Sequence, residues 1–164
     1  MTILLLLAAL AQDGERKKEK TLPEAAFEAL KNGDPAAFQA FYPTLEDVIA
    51  LARLEAAARR EPVEEPKLKE RCETLFAELK ARGPESLKKT RARVAGRGFD
   101  WTQASLKSVT TSQGPFDPAS KEPVLDILLD VESEGKIVTL KVDDCALVNG
   151  RRVLMDAFRW QKGP

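Results

Sequence analysis

A chain of 164 residues with 26 basic and 26 acidic side chains and no histidine leaves few chemistries open. Balanced charge provides no long-range field to draw in nucleic acid or an anionic membrane, and without histidine there are no imidazole bases, Ser-His-Asp or Cys-His systems, or imidazole metal sites. Carboxylates, Lys, Arg, the lone Tyr42 and the cysteines Cys72 and Cys145 remain, on a chain whose length suits one domain.

At the amino end, Ile3 to Ala11 is an apolar run of nine residues, too short for a bilayer, which takes about 20. Ala9-Leu10-Ala11 fits the small-x-small pattern of a signal-peptidase site. Residues 1–11 are therefore expected to be a signal peptide cleaved near Ala11-Gln12, giving an exported protein, periplasmic or extracellular. Met1-Thr2 carries no basic side chain, and a mis-set start codon or a buried N-terminal helix are the other readings of this run. The charged residues 12–20 are expected to form a disordered tether, and 21–164 a single domain.

Helices open that domain. Thr21 with Glu24 is a capping box and Pro23 suits a first turn, so a helix is expected from Leu22 to Lys31, stopped at Asn32-Gly33. Asp34 caps a short second helix through Phe38, Phe41 and Tyr42, ended by Pro43. Thr44 and Asp47 repeat the capping spacing for a third, reaching Arg59. After a polar linker at Glu61 to Pro66, the stripe Leu68, Cys72, Leu75, Phe76, Leu79 marks a fourth, ended by Gly83-Pro84. Glu85 to Gly98 then sets Lys88, Lys89, Arg91, Arg93 and Arg97 against one acid, Glu85. It could hold a phosphate or an acidic partner, but no aromatic residues interleave with the basic ones, and a solvated helix face is the plainer reading. Residues 21–98 thus form a helical layer.

From 101 to 162 the period changes to two. Ala104 to Thr111 is a first strand, Ser112 to Lys121 a loop, and Pro123 to Glu132 a second strand. Asn149-Gly150 between two apolar runs is the strongest hairpin signal in the chain, and Glu134-Gly135 is a second two-residue turn. The two turns fix a register. Val131 faces Val138, Leu129 faces Leu140, Ile127 faces Val142 and Leu125 faces Asp144; in the last hairpin, Ala146 faces Val153, Asp144 faces Met155 and Val142 faces Ala157. The expected fold is α+β, with four or five N-terminal helices packed on one face of a C-terminal four-stranded antiparallel meander.

That register leaves Asp144 alone among apolar residues on the inner face. It is either the polar floor of a ligand pocket flanked by Leu125 and Met155, or a carboxylate paired with an Arg of the helical layer such as Arg53 or Arg93. On the outer face it lines up Asp126, Asp143 and Asp156, oxygen donors of the kind that suit calcium or magnesium. No loop carbonyls or EF-hand spacing accompany them, and Lys141 and Arg152 are near enough to neutralise part of the charge. Phe158 and Trp160 fall on the same outer face as an apolar rim for a partner, such as a second copy of the chain. Cys72 and Cys145 are expected on opposite faces of the sheet, hence as free, separately buried thiols. A bulge at Asp143-Asp144 would turn Cys145 inward and break the acidic row.

AFEALKNGDPAAFQAFY resembles the opening of the SnoaL-like, nuclear-transport-factor-like (cystatin-like) proteins, and LKVDDCALVNGRRVLMD is similar to the last hairpin of small secreted members. The resemblance implies a curved antiparallel sheet wrapped around helices, with an apolar pocket that binds small molecules, mediates dimers or, in some members, is catalytic. Asp144 sits where a pocket acid would. This chain departs from that pattern in having two further helices before any strand and no histidine. The function expected is a non-enzymatic binding or interaction module of the cell envelope, its partner a small molecule held between sheet and helices or an envelope protein, with no nucleic acid, membrane span or cofactor. The alternative is a small-molecule enzyme using Asp144 as general acid or base.

Overall fold

The computed structural model describes residues 20–113 and 124–162; the expected signal peptide, nearly all of the tether and most of the loop between the first two strands lie outside them. Helix α1 is Leu22–Asn32. Its start follows from Thr21, whose N–H and hydroxyl both donate to the Glu24 carboxylate at 2.8 Å. It ends where Gly33 turns left-handed at φ 69°, a conformation that costs glycine little. Asp34 accepts from the Ala36 N–H at 2.9 Å and opens a 3-10 helix, Pro35–Phe41. Helix α2, Leu45–Arg59, is capped by Thr44 and Asp47 as expected.

Helix α3 runs from Glu65 to Ala95, 31 residues with Pro84 inside, where the sequence reading placed two helices divided at Gly83-Pro84. Pro84 removes one N–H, worth about 3 kcal/mol of helix stability. Tertiary packing outweighs that loss, because Leu79, Gly83, Leu87, Thr90 and Val94 are buried in one stripe that passes the proline in phase. Close approach demands the glycine: a Cβ at Gly83 would lie 2.4 Å from Cε1 of Tyr42. Tyr42 in turn stacks edge-on against Phe38 at 5.2 Å, and Phe38 against Phe158 of the last strand at 5.1 Å.

Among the described residues five antiparallel strands follow: β1 Ser105–Gln113, β2 Leu125–Ser133, β3 Lys136–Val148, β4 Arg151–Leu154 and β5 Phe158–Lys162, in the order β1-β2-β3-β4 with β5 also on β3. Both turns form as read, with left-handed φ at Glu134 (51°), Gly135 (77°), Asn149 (50°) and Gly150 (79°). The register from Val131↔Val138 to Ile127↔Val142 also holds, as does Ala146↔Val153. Between these stretches it fails. Asp144 takes φ 53° and makes a bulge, so Leu125 pairs with Cys145 rather than Asp144, and Val142 faces Phe158 rather than Ala157. The strand expected after Asn149-Gly150 is accordingly two strands out of step by one residue, and the expected meander of four strands has five.

Since strand side chains alternate, that one-residue shift exchanges faces. Cys145, Leu154 and Phe158 join the main core with Leu129, Val131, Val138, Leu140 and Val142. Ala146, Val148 and Val153 instead form a separate cluster with Ala50 and Leu51 of α2. Helix α2 therefore has two apolar sides, because its Val48, Ile49 and Ala52 pack with Cys72 and Leu79 of α3. The hairpin tip is clamped to its N-terminus: Arg151 is ion-paired with Asp47 and donates to the Ala40 carbonyl at 2.6 Å, while Asn149 donates to Asp47 at 3.3 Å.

Candidate functional site

Two arrangements hold the residues singled out by the sequence. The first is the acidic cluster that the bulge assembles. Carboxylate oxygens of Asp126, Asp143 and Asp144 lie within 4.8 Å of one another, and the Asp144 N–H donates to Asp126 at 3.2 Å. The Lys141 ammonium bridges Asp126 at 2.8 Å and Asp143 at 2.6 Å. Arg159 pairs with Asp143 and Asp156, each at 2.5 Å, and Arg82 reaches Asp156 at 3.4 Å. Thus Asp126 and Asp143 sit together as expected, whereas Asp156, on the bend between β4 and β5, is drawn off to Arg82 and Arg159 and Asp144 takes the third place. Lys141 neutralises part of the cluster as read, Arg159 joins it, and Arg152 donates to the Cys145 carbonyl at 3.3 Å.

The electrostatics of the cluster are divided. Burial works to raise the Asp126 carboxyl, but hydrogen bonds from Lys141 and from the Asp144 N–H hold it below the usual carboxylate range. For Asp144, burial and then the charges of Asp143, Asp126 and Asp156 push the same way, and its carboxyl is raised. Neither expected partner reaches it: Arg53 pairs with Glu65 at 2.8 Å and Arg93 lies over the Trp160 ring. A divalent ion at these carboxylates would have to displace Lys141.

The second arrangement is a half-open groove of about 390 Å³ between α2 and α3. Val48, Leu51 and Ala52 of α2, Cys72 and Leu75 of α3, and Met155 line it. Its rim charges are largely self-paired, Arg59 with Glu55 and Lys67 with Glu64. The short side chains of Ala52 and Ala56 and the Glu61 to Glu64 connection also line the groove. Cys72 is buried at its base and points its sulfur at the Val48 carbonyl, 3.9 Å away; burial raises its thiol pKa. Cys145 is free and buried elsewhere, in the main core, with burial pushing its thiol to about 12.

Of the three residues read as a ligand pocket, Met155 alone lines this groove; Asp144 and Leu125 do not. Sequence reasoning missed Val48, Leu51 and Leu75 as a site, although Leu75 belonged to the stripe read for its helix and is 40% exposed, a mark of unfinished burial. Phe158 and Trp160, read as an outer-face rim for a partner, instead face Val142 and Leu140. Phe158 is buried, and Trp160 is half-buried under Arg93 and Arg97. No described helix is long and apolar enough to cross a membrane. No protein-family model, curated protein or solved structure matches this chain.

Proposed function

We propose that the protein is an exported, non-enzymatic binding module that holds a small apolar molecule in the groove between α2 and α3. The groove carries the reading: about 390 Å³ lies in the range of small-molecule sites, about 300–1,000 Å³, which are typically apolar with few polar groups. Because the rim charges are largely satisfied by one another, the apolar floor is what offers binding energy, at about 25 cal/mol per Å² of apolar surface covered. Asp144 stands outside the groove, which leaves the enzymatic alternative without its acid at the site.

Titration with the uncharged fluorophore N-phenyl-1-naphthylamine tests the site. Saturable binding is expected in the wild type and at least a tenfold weakening in Ala56→Trp, which fills the groove, with circular dichroism unchanged. Equal binding by the two proteins would overturn the assignment. For export, the secreted protein should begin near Gln12 when its amino terminus is sequenced; a chain retained in the cell with residues 1–11 intact would refute that part.

A further inference from the structure

The basic stretch Glu85 to Gly98 is sorted by the fold into residues with structural tasks and residues without. Arg91 donates to the carbonyls of Leu30 and Lys31 at 2.9 and 3.3 Å, closing the C-terminus of α1. Lys89 pairs with Glu85 at 2.6 Å. Arg93 in the last turn of α3 and Arg97 in the turn that follows it, both exposed, have their guanidinium carbons 5.1 and 5.4 Å from the centre of the Trp160 ring. Trp160 comes from β5, so the aromatic residue absent from the basic run in sequence is supplied across space by the sheet.

We infer that Arg93, Arg97 and Trp160 form a binding site for a phosphoryl group. Stacking engages the face of a guanidinium and leaves its five in-plane N–H donors at the edge. Among the described residues, neither arginine has an ion-pair or hydrogen-bond partner for those donors. Elsewhere in the fold the arginines with structural roles use theirs: Arg53 on Glu65, Arg91 on two carbonyls, Arg151 on Asp47, Arg159 on Asp143 and Asp156. Two guanidinium groups gathered over one indole, with in-plane donors that have no partner among the described residues, offer forks of the kind that take a phosphate oxyanion bidentately. Part of the side-chain ordering cost of binding, about 0.5–1.5 kcal/mol for each immobilised side chain, is already met in the unbound protein. The negative end of the α3 dipole opposes an anion here, but it amounts to about half a charge against two full ones. This site is about 30 Å along α3 from the groove, and the two assignments stand or fall separately.

Calorimetric titration of the full chain with inorganic phosphate, and co-sedimentation with phosphatidylcholine vesicles with and without phosphatidic acid, test it. Saturable binding is expected for at least one probe, weakened at least tenfold by Arg93→Gln or Arg97→Gln and less than twofold by Lys88→Gln, an exposed charge of the same helix. Trp160→Leu should weaken binding with both arginines intact, because the stack is lost. Should Trp160→Leu fail to fold, the exposed Arg93→Gln and Arg97→Gln still decide. Binding of phosphate but not of vesicles makes the ligand a soluble phosphate compound, and binding of phosphatidic acid vesicles alone makes it a lipid headgroup. No saturable binding of either probe, or an equal loss in Lys88→Gln, would overturn the inference.

Discussion

Replacing Gly83 by Ala sets two effects of opposite sign against each other. In an ordinary helix interior the change gains about 1 kcal/mol. Here the added methyl would lie 2.4 Å from Cε1 and 3.0 Å from Cδ1 of Tyr42, well inside van der Waals contact. Tyr42 cannot swing aside, since it is 7% exposed and packed against Phe38. Overpacking of this kind costs about 1–3 kcal/mol, with the larger values where nothing can relax, so a net loss of about 1–2 kcal/mol is expected in urea unfolding. Tyr42→Ala alone should cost about 3–5 kcal/mol through the cavity it leaves. In that background Gly83→Ala should become stabilising, because the clash is gone and helix propensity remains. The double-mutant cycle should therefore show a coupling of about 2–3 kcal/mol. Equal effects of Gly83→Ala in both backgrounds, or a gain in the wild type, would refute the claim that Tyr42 is what requires glycine in α3.

Tyr42→Phe should be neutral or stabilise by up to about 1 kcal/mol, because the hydroxyl is buried without a hydrogen-bond partner and an unsatisfied donor is costly; a clear loss of stability would mean that the hydroxyl has a partner. Asp47→Asn should cost about 2–4 kcal/mol, since it weakens the α2 cap and breaks a pair with Arg151 that is only partly screened by water. Burial alone would raise the Asp47 carboxyl, but hydrogen bonds from Thr44 and Arg151 and the Arg151 charge lower it. Its stabilisation is thus fully present above the unfolded carboxylate value and lost as pH falls through the depressed folded value, and the wild type should lose more stability than Asp47→Asn on acidification below about pH 4. Thiol titration of denatured, unreduced protein should count two free thiols, matching Cys72 and Cys145 in separate clusters; none in a monomer would contradict the fold.

The elements fixed by local chemistry were legible in the sequence. Thr21 with Glu24, Thr44 with Asp47, Gly33, Glu134-Gly135 and Asn149-Gly150 each act within a few residues, and each element boundary they mark is found. The continuation of α3 through Pro84 was not, because proline's local cost is visible in sequence while the packing of Leu79, Leu87 and Val94 that overcomes it is tertiary. Their spacing of whole turns on either side of Gly83 is the signal that carries this. The register was legible as far as Val142 and again from Cys145 to the Asn149-Gly150 turn, and lost at the bulge between them and in β5. Val142-Asp143-Asp144-Cys145 holds one polar residue too many for alternation, which is the mark of a bulge, and Asp tolerates left-handed φ better than most residues. Reading the pattern as regular placed Asp144, Cys145, Phe158 and Trp160 on the wrong faces together. The groove was not legible at all, since it depends on how far apart two helices settle.

The same bulge makes Asp144 the residue on which the acidic cluster can be tested. Burial and the carboxylates of Asp143, Asp126 and Asp156 raise its pKa, so its charged form is disfavoured in the folded state. The penalty is fully present above the raised folded value and vanishes as pH falls below the ordinary one, so this group destabilises the fold at neutral pH, opposite in sign to Asp47. Asp144→Asn keeps the shape and tolerates the φ of 53° that the bulge needs. It should stabilise the protein by about 0.5–1 kcal/mol at pH 7, the scale of a like-charge contact across strands, with the gain shrinking toward pH 4. If the cluster instead needs all three carboxylates to hold a divalent cation, millimolar calcium should raise the melting temperature of the wild type and not that of Asp143→Asn. Because Lys141 already bridges Asp126 and Asp143, no calcium effect is expected in the wild type. A loss of stability in Asp144→Asn at pH 7 would refute this account, since it would mean that the carboxylate has a partner that outweighs its three neighbours.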